Sequence, residues 1–101
     1  MSKRIELHYK LVEVLGSNNV YFQPPSTVKM SYPAIVYNRS GLDTKRADNT
    51  LYHKKQQYTV TVIDKNPDSE IPHKLLDFKY SSFDRHFVAD NLNHDVYTIY
   101  Y

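Results

Sequence analysis

The 101 residues contain no cysteine and no tryptophan, and only two glycines and five prolines. Without cysteine there is neither a disulfide framework nor a thiolate metal site, and a reducing cytoplasm is a compatible setting. Gly16 and Gly41 alone cannot build a glycine-rich phosphate cradle, and Ser81-Ser82 lack the Gly-x-Ser-x-Gly setting of a nucleophile elbow. Long apolar runs are missing too. Glu6, His8, Lys10 and Glu13 interrupt the N-terminal segment, so neither a signal peptide nor a membrane span is expected. A strong charge of one sign is also absent: the net charge of +2 is too small to make nucleic acid the default partner.

What is present fits one globular domain over residues 1–101, since a single core ordinarily serves about 100–200 residues. A hydrophobic share of 41% with 24% charged residues argues against disorder. The core can only be modest, because domains near this size leave roughly a third of their unfolded surface exposed. Ten tyrosines stand out. Each offers a large ring with a polar tip, suited to half-exposed strands and to protein contact surfaces.

Residues 3–15 have the period of an amphipathic helix. Leu7, Leu11, Val12, Val14 and Leu15 share one broad side, with Ile5 and Tyr9 at its margin and Glu6, Lys10 and Glu13 opposite. Gly16 is placed to stop it. Val20–Gln23 reads as a short strand ended by Pro24-Pro25. Ser31–Asn38 reads as a second strand, apolar enough to be covered on both faces. Arg39–Tyr52 is polar and rich in turn formers, either a long loop or an extended hairpin tip. Lys55–Asp64 alternates clearly, Tyr58, Val60 and Val62 against Thr59, Thr61 and Ile63. Asn66-Pro67-Asp68 turns the chain. Ser69 is the expected N-cap of a short helix from Glu70 to Leu76, with Ile71, Leu75 and Phe78 as its apolar stripe. Strands over 80–89 and 95–101 then flank a turn at 90–93. The expected fold is α+β in the order α-β-β-β-α-β-β: a mainly antiparallel sheet of about five strands with both helices packed on one face.

Three constellations bear on chemistry. Pro67-Asp68 with Asp77-Phe78-Lys79 matches the loose pattern of metal-dependent nucleases, which need carboxylates on adjacent strands to hold a cation. Here a turn and a helix separate the acids, and helix-entry chemistry explains Pro67-Asp68 without a metal. His86 and His94, near Asp84, Asp90 and Asp95, could in principle bind zinc. The spacing supports a cross-strand His86–Asp95 pair better. His8 lies within the apolar side of the first helix as a packed or interface histidine, while His53 and His73 read as surface residues. No catalytic residue, metal site or cofactor is expected. Arg39, Lys45, Arg46, Lys54 and Lys55 make the polar insert and its flanks basic, with Asp43 and Asp48 diluting the charge. That composition suits a solvated loop or docking onto an acidic protein surface, and nucleic acid less well because no RNP-like aromatic motif accompanies it.

Read in order, the strings Tyr-Pro-Ala-Ile-Val-Tyr (32–37), Ala47-Asp48-Asn49, Gln57-Tyr-Thr-Val-Thr-Val-Ile-Asp64, Asn66-Pro-Asp-Ser-Glu70 and Ser82-Phe-Asp-Arg-His-Phe-Val-Ala-Asp-Asn-Leu-Asn-His-Asp95 form a distinctive set. The set resembles the small tail-completion proteins of long-tailed bacteriophages and prophages, the tail-terminator or head–tail joining group. The resemblance spans about residues 20–101. It implies a structural protein of the virion tail or neck, assembled in the host cytoplasm. It also implies a homo-oligomeric ring, usually six-fold, that meets the tail tube protein on one face and the head–tail connector on the other. A ring needs a heterologous interface closed by rotation. Candidate contact residues are Arg39, Lys45, Arg46, Asp48, Asn49, Lys54 and Lys55 in and beside the insert, and Arg85, which alternates with aromatics and has Asp84 or a neighbouring subunit as a partner. Two alternatives stand beside this reading: a head-closure protein one ring nearer the capsid, and, from a different class, a small nucleic-acid-binding module that stacks tyrosines on bases.

Overall fold

A computed structural model of the chain describes residues 3–47, 50–78 and 80–101, and over 41–47 and 50–55 it describes the backbone alone. The elements are α1 (Lys3–Leu15), β1 (Val20–Phe22), β2 (Ala34–Ala47), β3 (Thr50–Asp64), α2 (Ile71–Leu75), β4 (Ser81–Ala89) and β5 (Leu92–Tyr100). The strands form one sheet in the order β1-β2-β3-β5-β4. Only the β1–β2 pair is parallel. This is the α-β-β-β-α-β-β order that the periodicities predict.

Helix α1 takes the bounds its pattern demands. Leu7, Leu11 and Leu15 are buried, Val12 and Val14 pack half-buried against the core, and Glu6, Lys10 and Glu13 face water. Tyr9, at the margin of the apolar side, stays exposed. The helix ends where Gly16 adopts φ +79° and its N–H donates to the Val12 carbonyl at 2.8 Å. A left-handed residue is the usual way to close a helix, and glycine enters that region without a Cβ penalty.

The alternation of β3 sorts the sheet into two faces. Tyr58, Val60 and Val62 stand opposite Arg39, Tyr37 and Ile35 on β2, and opposite Ile99, Tyr97 and Asp95 on β5. Of these rows Tyr58, Val60, Val62, Tyr37, Ile35, Ile99 and Tyr97, with Val20 of β1, meet Leu7, Leu11, Leu15 and Leu75 in one core. Both helices therefore lie on this face, since side chains along a strand alternate sides.

Several features differ from the sequence reading, and the larger differences have physical reasons. Strand β2 begins at Ala34, just after the cis Tyr32–Pro33 peptide, and runs on through the polar insert to Ala47, so the insert is an extended hairpin and not a loop. Helices cover just one face of β2: Ile35 and Tyr37 are fully buried beneath them, whereas Val36 on the other face is half-buried. Helix α2 spans only Ile71–Leu75 and is flanked by Glu70 rather than Ser69. The Ser69 hydroxyl nevertheless accepts the Ile71 N–H at 3.3 Å, one of the amides a helix start leaves unpaired. Strand β5 starts at Leu92, because Asp90 and Asn91 both take positive φ (53° and 62°) and close a two-residue hairpin. Two successive left-handed residues match the twist of the flanking strands, and Asp and Asn tolerate that region best after glycine.

Candidate functional site

The sheet does not end where its neighbours do. Strand β5 pairs with β3 only from Gln57 to Asp64, and β1 pairs with β2 only from Ile35 to Tyr37. Strands β2 and β3 nevertheless stay paired outward to Ala47 and Thr50. Residues 41–47 and 50–56 therefore form a two-stranded arm, and seven residues at about 3.3 Å each carry it roughly 23 Å past the body. A register shift between Arg39 and Gly41 marks its base, and another lies between Lys45 and Arg46.

The expected contact residues fall mostly on this arm. Arg39 sits at its base, exposed, with its N–H held by the Gln23 side-chain oxygen at 3.2 Å. On the ladder Lys45 stands opposite His53, Lys54 opposite Thr44, Lys55 opposite Asp43 and Arg46 opposite Leu51. The side chains of these arm residues lie outside the described set, as do Asp48 and Asn49 altogether.

Arg85 lies elsewhere, on the β4–β5 hairpin. Between Phe83 and Arg85 the register shifts by one residue. Phe83 therefore opposes Tyr97 on the helix-covered face, its ring edge-on at 5.3 Å. Arg85 and Phe87 oppose Val96 and His94 on the other face. Phe87 stacks on His94 with centroids 4.6 Å apart and planes 13° from parallel, and the Arg85 guanidinium lies 5.7 Å from the Phe87 ring centre. The Asp84 carboxylate, considered above as a partner for Arg85, accepts the Thr98 hydroxyl at 3.4 Å.

His86 opposes Asp95 as the spacing predicts, but its ring nitrogen bonds the Asn93 side-chain oxygen at 3.3 Å. By the same register His86 and His94 belong to opposite faces of the sheet, which removes the geometry a shared zinc would need. Among the described residues no group of three His, Cys, Asp or Glu side chains comes together as a metal site. Asp68 lies in the turn before α2, where its N–H donates to Asn66 Oδ1 at 3.0 Å, and Asp77 is exposed beyond the helix; Lys79 is outside the described residues. Ser81 serves as a clamp, donating from its hydroxyl toward the carbonyls of Leu75 (2.9 Å) and Phe78 (3.1 Å).

One cluster was not anticipated from the sequence. His8 Nδ1 lies 2.7 Å from the Tyr37 hydroxyl, and Arg4 donates to the same oxygen at 3.3 Å while its guanidinium stacks over Phe22 at 4.6 Å. Burial, then the Arg4 charge, lowers the His8 pKa below 6.5. Burial raises that of Tyr37, opposed by the hydrogen bond and charge of Arg4. Both directions agree with one arrangement: Arg4 donates to Tyr37, and the Tyr37 hydroxyl donates to a neutral His8. The cluster fastens α1 to β2. Arg4 and His8 stand four apart, so their shared helix face was readable, but their common partner across the sheet was not.

Among the described residues no helix is long and apolar enough to cross a membrane. No family model, no curated protein and no solved structure matches this chain.

Proposed function

We propose that this chain is a structural virion-assembly protein that forms a ring, six-fold as is usual in the group it resembles, completing a phage tail and joining it to the head. The ordered sequence strings that resemble tail-completion proteins motivate the reading. The observation that carries it is the arm. A two-stranded hairpin standing alone is marginally stable in water, so 41–56 has reason to rest on another protein surface. An arm on one side of a subunit and a different surface on the next make a heterologous contact, the kind that closes into rings. The basic residues of the arm suit an acidic face of a neighbouring subunit, of the tail tube or of the connector, and charge there favours correct pairing more than raw affinity.

The test is electron microscopy of particles whose parent phage or prophage lacks this gene. Filled heads lying beside detached or overlong tails are the expected result, and normal infectious virions would remove the protein from assembly. Charge reversal at Lys45, Arg46 and Lys54 together should reproduce the defect while the purified variant keeps its circular dichroism spectrum. Undiminished infectivity of that variant would take the arm out of the contact.

A further inference from the structure

Beside the base of the arm, a cleft of about 760 Å³ opens between α1, the end of α2 and the last residues of β5. Val14, Phe78 and Tyr101 are half-buried against the core and give it an apolar floor. Lys3 and Lys10 stand seven residues apart, two helical turns on one side of α1. Both ammonium groups lean over the Tyr101 ring, at 6.0 and 5.2 Å from its centre. Lys74 faces them from α2. The backbone that carries this ring is held to β3, since the Tyr101 N–H donates to the Gln56 carbonyl at 3.0 Å.

We infer that this cleft is a docking groove for an acidic peptide segment of a partner protein, one that carries a single aromatic or large aliphatic anchor. The length sets how much of a peptide the groove can take. From Lys3 to Val14 the α1 wall runs about 16 Å at 1.5 Å per residue, which matches four or five residues of extended chain. The charge decides the sign: three lysines line the groove against Glu13 and Asp77. Two of those lysines sit over an aromatic face, a position that holds the cation without neutralising it, so an incoming carboxylate still finds full charge. The floor explains the anchor, because half-buried apolar surface gains most from a side chain that completes its burial. The inference stands on the groove and is independent of the assembly reading.

A random peptide library selected on the immobilised full chain tests it. The enriched peptides should combine acidic residues with one large apolar residue. When synthesised and titrated by calorimetry, they should lose affinity about tenfold in the Lys10→Glu, Lys74→Glu double variant, the effect of reversing two rim charges. The same peptides should bind a Lys29→Glu control as they bind the wild type, and all variants should match it in thermal unfolding. Three results overturn the inference: no enrichment, enriched peptides without acidic residues, or equal binding to the double variant. A single-stranded oligonucleotide that binds the wild type and not the double variant would also overturn it, giving the groove to nucleic acid.

Discussion

Tyr97→Phe isolates what holds α2 to the sheet. With five residues, α2 is far shorter than a helix that stands by itself in water, so its stability is tertiary. Leu75 is fully buried, Ser81 binds the carbonyls at its end, and the Tyr97 hydroxyl donates to the Pro72 carbonyl at 2.8 Å. The Leu76 N–H goes to His73 O at 3.2 Å, three residues back, so the tyrosine serves a carbonyl of the first turn. Phenylalanine keeps the ring contact with Phe83 and removes only this bond. The expected loss at neutral pH is that of one net hydrogen bond, about 1 kcal/mol. In a domain of this size that lowers Tm by roughly 4–8 °C.

The alkaline side tests the burial of the same hydroxyl. Burial, with a contribution from Asp95, pushes the Tyr97 pKa from 10.0 up to about 12. The folded state thus holds its proton longer than the unfolded chain. Its contribution is whole below pH 10.0 and is lost as pH rises toward about 12. The Phe variant has no such proton to lose. Urea unfolding followed by circular dichroism should show the wild type about 1 kcal/mol more stable than the variant at neutral pH, with equal m values, the gap closing above pH 10.0 and reversing as pH approaches about 12. Equal stability at neutral pH would refute the role of the bond. A gap that stays constant into the alkaline range would refute the assignment of the shift to this hydroxyl.

Gly16→Ala should cost about 1 kcal/mol, read by the same urea titration; no atom lies within 4 Å of the added Cβ, so the loss is purely that of placing alanine at φ +79°. Gly16→Asn should cost less, since asparagine visits that region more readily. His8→Gln tests the α1 cluster through pH: the lowered His8 pKa makes its contribution full above 6.5 and lost as pH falls below that value, because the unfolded chain protonates first. The variant should therefore lose less stability than the wild type on acidification, and an unchanged acid limb in denaturant titrations would sink the claim.

The parts of this fold legible in the sequence are those where burial leaves a period. Leu7, Leu11 and Leu15 fall one turn apart, so α1 could be placed to the residue, and Gly16 marked its end. The strict alternation of 58–63 fixed which face of β3 meets the helices. The arm could be read only as loop or hairpin, for the same physical reason in reverse. Beyond Gln57 neither β5 nor β1 pairs with these two strands, and the polar run shows no apolar alternation that would record its pairing. The Arg4–His8–Tyr37 cluster and the lysine-rimmed cleft depend on which distant elements meet, which one-dimensional spacing does not hold. The basic residues singled out by composition belong to the arm, whereas Arg85 belongs to a separate surface of the molecule.

That separation turns on one extra residue. Strict alternation would set Phe83, Arg85 and Phe87 on a single face of β4. The shift at Asp84 instead sends Phe83 to the helix side against Tyr97, and turns Arg85 and Phe87 to the opposite side, where His94 completes a stack. The Asp84 carboxylate on the Thr98 hydroxyl braces the bulge across the hairpin. A bulge sharpens local twist, and a twisted, charged edge is a poor template for another strand. Strand β4 is one of the two outer strands of the sheet and is exposed along nearly its whole length, yet its backbone is defended against simple sheet extension. Its apolar side chains are not: Val88 is 61% and Phe83 49% exposed. A partner meeting this edge therefore gains more from covering those side chains than from adding a strand. The arm and the β4 edge accordingly differ in chemistry, a paired backbone ladder whose sequence is rich in basic residues on the one and exposed apolar side chains on the other.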